Sequence, residues 1–119
     1  MEKRKKELFV FPEEIKRLIS MGWKRLGLTV DLAHIQSVMD HELFLSSLDK
    51  EWIIHTHLSD FTLNSTHVPL GHGSMDIDKA LAVLSKYYQG NVILEGFVRG
   101  QAQKTVQGNV DYLRTHGWM

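Results

Sequence analysis

The sequence predicts an α/β protein built on a parallel sheet, and three observations carry that reading. Short runs rich in β-branched residues alternate with amphipathic stretches, in the order helix, strand, helix, strand, helix, strand, helix. Strands separated by helices form βαβ units, which join into a parallel sheet through right-handed crossovers. No low-complexity stretch or linker interrupts the 119 residues, so 1–119 is read as a single domain.

The first helix is expected in "PEEIKRLISMGW" (12–23). Pro12 suits a first turn, Glu13 and Glu14 complement the helix N-terminus, and Ile15, Leu18 and Ile19 make an apolar side. "LGLTVDL" (26–32) reads as the first strand. A helix is expected over "IQSVMDHELFLSSL" (35–48), with Ile35, Val38, Leu43, Phe44 and Leu45 apolar. "WIIHTHL" (52–58) is the second strand, and "DIDKALAVLSKYY" (76–88) is a helix with Ile77, Leu81 and Leu84 on one stripe. "NVILEGF" (91–97) is the third strand. The last helix lies in "QAQKTVQGNVDYLRTHG" (101–117), its stripe carried by Val106, Val110 and Leu113 and weakened by Gly108.

Composition narrows the chemistry. The 14 basic and 14 acidic side chains cancel, so no global field favours nucleic acid or an anionic membrane. The basic group Lys3, Arg4, Lys5 and Lys6 reads as a solvated tail. With no cysteine, disulfides, thiolate metal sites and cysteine nucleophiles are all excluded. Neither a signal peptide nor a membrane span is apparent, and a cytoplasmic protein is the expectation.

Side chains alternate along a strand, so each strand can be read for what it points one way. Asp31 shares a face with Thr29, with Leu28 and Val30 opposite. His57 shares one with His55 and Ile53. Glu95 shares one with Ile93, with Val92 and Leu94 opposite. Each strand therefore ends in a metal-competent residue, and in parallel α/β sheets the C-terminal strand ends form the active face. Singly, an aspartate there is usually a helix cap, a glutamate a salt-bridge partner and a histidine a satisfied core residue. Together, Asp31, His57 and Glu95 make an oxygen and nitrogen donor set suited to zinc, manganese, cobalt or magnesium.

Four of the seven histidines fall within "HTHLSDFTLNSTHVPLGHGSMD" (55–76). His55 is expected one layer below His57, as a packing or outer-shell residue. His34 and His67 are additional candidates for metal or substrate, and His72 is left undetermined. His41 and His116 are read as helix-surface or chain-end residues without a role. Gly71 and Gly73 permit tight turns and close backbone approach, and Ser74 or Asp76 can cap the following helix. That glycine-flanked helix start is either an anion site or a plain loop-to-helix entry.

"GLTVDLAH", "HTHLSD", "HVPLGHGSMD" and "VILEG", in this order and spacing, resemble the last strands of the xylose isomerase-like barrel superfamily. That group includes sugar and sugar-phosphate isomerases and epimerases, inosose dehydratases and endonuclease IV-type repair nucleases. The resemblance runs from about Phe11 onward. It implies a partial TIM barrel, roughly the C-terminal half of a (β/α)₈ fold that is usually about 250 residues long.

In the epimerases that this chain resembles, one divalent metal is held by Glu, Asp, His and Glu from successive strands. Asp31, His57 and Glu95 match the last three, and "KELFVF" offers Glu7 for the first. His34 matches a substrate-contacting residue. The implied reaction is proton transfer beside a sugar carbonyl through an enediolate, with Glu95 and His34 as catalytic residues. A small sugar or sugar phosphate is the implied substrate, and no organic cofactor is implied. The endonuclease IV resemblance would instead place Asp31, His34, His57, His67 and Glu95 in a zinc cluster. Ser65 stands where that family's loop has aspartate, and the neutral charge disfavours a duplex DNA partner. Three parallel strands leave two sheet edges, so self-association or an N-terminal half-barrel partner is the expected way of hiding them. A non-catalytic partial barrel of this kind is the alternative reading.

Overall fold

The computed structural model describes residues 11–119, so Glu7 and the basic group at 3–6 lie outside the described residues. The helix α1 (Pro12–Ile19) starts with Pro12 in its first turn, and the Glu14 carboxylate accepts from Phe11 N at 3.4 Å. It stops short of the expected Trp23, because the chain turns at Gly22 with a φ of 83°. Only Pro12 and Ile15 of this helix are buried.

The strand β1 (Leu28–Asp31) passes directly into α2 (Leu32–Gln36), because Asp31 itself caps that helix, accepting from His34 N at 3.2 Å. The single helix expected over 35–48 is in fact two. The chain leaves the helix at Ser37, and Asp40 caps a new one, α3 (His41–Ser46), by accepting from Leu43 N at 3.2 Å. A short 3₁₀ turn, Lys50–Trp52, leads into β2 (Ile53–Leu58). The long loop after β2 ends at Asp76, which caps α4 (Ile77–Ser85) through Lys79 N at 3.1 Å. The expected stripe of Ile77, Leu81 and Leu84 is buried. The strand β3 (Val92–Leu94) and the long α5 (Ala102–Thr115) complete the chain.

The sheet has the order β1-β2-β3, and both pairs are parallel. Val30, Thr56 and Leu58 are buried on the side that packs with the helix residues Leu32, Ile35, Phe44, Leu45, Ile77 and Leu81. The alternate residues Thr29, Asp31, His55, His57, Ile93 and Glu95 are half-exposed or exposed. One sheet face is thus covered by helices, and the other is open among the described residues.

Two expectations about faces fail for identifiable reasons. Leu28 pairs with Ile53 but Thr29 pairs with His55, so β2 carries one extra residue there. That bulge turns Ile53 into the core, at 7% exposure, and leaves Ile54 65% exposed. Ile53 therefore does not share the face of His55 and His57. On α5 the buried stripe is Thr105, Asn109 and Leu113, while Val106 is exposed. Hydrogen bonding makes these polar positions suitable for burial. Asn109 Nδ2 donates to Gly96 O and its Oδ1 accepts from Leu70 N, both at 2.9 Å, tying the exit of β3 to the loop before α4.

Candidate metal centre

Pairing brings the expected ligands into one place. Asp31 is opposite His57 across β1 and β2, and His57 is opposite Ile93 across β2 and β3. Glu95 continues β3 by one more ladder bond, donating its N–H to Leu58 O at 2.9 Å. His57 Nδ1 lies 3.0 Å from Glu95 Oε1. One donor atom each from Asp31, His57 and Glu95 lie within 4.8 Å of one another, all three residues being half-buried.

A second group overlaps the first. Asp31, His34 and His67 also bring one donor atom each within 4.8 Å of one another. His34 Nε2 is 3.8 Å from Asp31 Oδ2, and His67 Nε2 is 3.8 Å from Glu95 Oε2. The His34 and His67 rings meet edge to face at 5.6 Å. Asp31 and Glu95 thus connect three histidines from a strand, a helix and a loop. The His55 ring stands edge-on to His57, with ring centres 4.9 Å apart.

Electrostatics are consistent with a cation. Burial pushes the Asp31 carboxyl above the usual carboxylate range, outweighing the hydrogen bond from His34 N and the charge of that imidazole. A positive ion at the centre would oppose that upward shift. The donor set is imidazole and carboxylate without sulfur, which fits a hard or borderline divalent ion. The three residues present therefore fit the group, supplying three ligands and leaving further coordination positions for other donors.

Several side chains take roles that the sequence reading did not give them. His41 is buried rather than surface-exposed, since the break between α2 and α3 turns it inward, where Nε2 donates to Leu32 O at 2.7 Å. Burial lowers its pKa. His116 stacks on Tyr112 with ring centres 4.0 Å apart, and its Nδ1 lies 2.8 Å from Asp78 Oδ2. Trp118 Nε1 donates to the other Asp78 oxygen at 2.7 Å, and these bonds hold Asp78 below its usual range. His72 is exposed on a groove shared with α5. No local sequence pattern marks Thr66, yet Thr66 Oγ1 and His34 Nε2 share a hydrogen bond of 3.0 Å.

The glycine turn before α4 is a loop-to-helix entry and not an anion cradle. Its amides at Gly71, Gly73 and Met75 already donate to the Asp60 carboxylate. Gly71 adopts a φ of 84°, and a Cβ on Gly73 would stand 2.3 Å from Phe61 O. Both glycines are required by that geometry. Asp76, not Ser74, provides the cap.

No curated protein matches the chain in sequence. In structure it resembles a crystal structure of a D-tagatose 3-epimerase-like protein, with a TM-score of 0.72 and 23% identity. That match covers 97% of this chain but only 45% of the other, so the chain spans less than half the length of its structural neighbour. The three parallel strands and their helices thus correspond to part of a TIM barrel. The family model for the xylose isomerase-like TIM barrel matches residues 2–116, and the chain belongs to that family.

Proposed function

We propose that this chain is part of a cytoplasmic, divalent-metal-dependent isomerase or epimerase of sugars or sugar phosphates, moving a proton on the carbon next to a carbonyl. One observation carries the reading: Asp31, His57 and Glu95 converge at the C-terminal ends of three parallel strands, on the open sheet face. A zinc, manganese, cobalt or magnesium ion held by these three would supply Lewis-acid polarisation of the substrate's oxygens. Glu95, within reach of both His57 and His67, holds or accepts the migrating proton. His34, steadied by Thr66, orients a substrate hydroxyl.

The site is one-sided, and the epimerase-like neighbour is more than twice as long. Activity therefore calls for a second set of strands, from another copy of this chain or from an N-terminal half-barrel, bringing the remaining ligand and a carboxylate for the far face of the sugar. Size-exclusion chromatography with metal analysis tests the assembly. A dimer with near-stoichiometric metal supports it, whereas a metal-free monomer leaves the non-catalytic partial barrel. Proton exchange of ketoses in heavy water, with metal present, tests the chemistry. No exchange above a Glu95→Gln control across a broad sugar panel removes the enzyme reading.

The overlapping Asp31, His34 and His67 group favours one second reading, a multi-metal centre of the endonuclease IV kind acting at abasic sites. The balanced charge of the chain weighs against it. Absence of cleavage on duplex DNA containing an abasic site would retire it.

A further inference from the structure

Asp60, three residues beyond His57, has no exposed surface at all. Such a carboxylate needs full hydrogen-bonding compensation, and it obtains this from the backbone alone. Its Oδ1 accepts from Phe61 N and Met75 N, each at 2.9 Å. Its Oδ2 accepts from Gly71 N at 3.1 Å and Gly73 N at 3.0 Å. The Asp60 backbone meanwhile pairs with Val68, with N···O distances of 2.8 and 3.2 Å. One residue thus fastens the start, the middle and the end of the 61–75 loop.

That loop carries two of the contacts to the centre. Thr66 reaches His34, and His67 reaches Glu95. The Thr66 carbonyl accepts from Ser59 Oγ, and the His67 carbonyl accepts from Phe97 N at 3.3 Å, so the loop spans the ends of β2 and β3. We infer that Asp60 is a positioning residue for the site: by satisfying four amides at once it fixes the loop closure that sets Thr66 against His34 and His67 against Glu95. The inference rests on the functional reading of that site, but the geometry it predicts can be measured without any metal.

The charge and shape of a carboxylate are both needed. In Asp60→Asn one oxygen becomes an amide that donates, so two backbone N–H groups would face another donor. The loop must then open locally while β2, held by its own ladder, stays in place.

Histidine-ring NOEs in the full chain read this directly. The wild type should show the His34–His67 contact, whose ring centres are 5.6 Å apart, and the His55–His57 contact at 4.9 Å. In Asp60→Asn the first should vanish and the second persist, with manganese affinity falling about 10- to 100-fold, as expected for a lost outer-shell support. A wild type without the His34–His67 contact, or a folded Asp60→Asn that keeps it, overturns the inference. If Asp60→Asn loses both contacts, Gly73→Ala replaces it, since its Cβ would stand 2.5 Å from Asp60 Oδ1 and push the same clamp open. An unchanged His34–His67 contact there is equally fatal. Failure of the wild type to bind manganese would instead overturn the metal reading and leave the NOE comparison standing.

Discussion

Asp31 at the end of β1 and Asp60 just beyond β2 are carboxylates on neighbouring strand ends, and they are compensated in different ways. Asp60 is fully buried and takes four backbone N–H bonds, two on each oxygen. Asp31 is partly buried, takes one backbone bond from His34, and has its pKa raised because that bond does not offset desolvation. The fold satisfies one acid completely and leaves the other short of positive charge. A carboxylate with all its partners supports structure, whereas one with a deficit beside three imidazoles is suited to a cation.

The largest effect should come from removing the satisfied acid. Asp60→Leu strands four amides around an apolar side chain and should cost about 3–5 kcal/mol of stability, read by urea unfolding. A loss below about 1 kcal/mol would mean that the amides find other partners and that the contrast is false. Glu95→Gln should do the reverse, leaving stability within about 1 kcal/mol while weakening manganese or zinc binding by at least about 100-fold in calorimetry. Equal damage to stability and binding would place Glu95 with Asp60 rather than with Asp31. Thr66→Val, which keeps shape but removes one hydrogen-bond partner of His34, should weaken metal or substrate binding by about 10-fold with little change in fold.

The smallest effect concerns pH. His41 is buried and its pKa is lowered, first by desolvation and then by Lys79, against the opposing influence of the Leu32 carbonyl and Asp40. The unfolded chain therefore binds a proton more readily than the folded one as pH falls through about 6.5. Stability is fully present above that value and declines below it, until the folded-state pKa is passed. The pH dependence of unfolding between 5 and 7.5 should be shallower in His41→Gln, and an unchanged slope would remove His41 as its source.

The same contrast marks what could be read in the sequence. Strand-end donors are legible because alternation within a strand and the βα repeat between strands are both regular, and Asp31, His57 and Glu95 follow them. The α4 stripe was legible for the same reason. Ile53 was not, because a one-residue bulge resets the alternation and leaves no compositional mark. The break between α2 and α3 had a signal in Asp40, a strong capping residue inside an apolar pattern, but periodicity masked it. The contacts of Asp60, Thr66 and Asn109 were not legible, even though Asp60 ends the HTHLSD motif, because most of their partners are backbone groups or side chains far along the chain. Such pairings depend on closure of the loop, which local pattern does not encode.

Asp31 holds two positions at once, as a member of the candidate metal group and as the cap of α2. A glutamate would offer the same charge but reach one methylene farther, too long to accept from His34 N in the same turn. On the proposed function, coordination at this position and the start of the helix would be inherited together. Over evolutionary time this should make the position far less exchangeable between the two acids than Glu95, whose side chain caps no helix among the described residues.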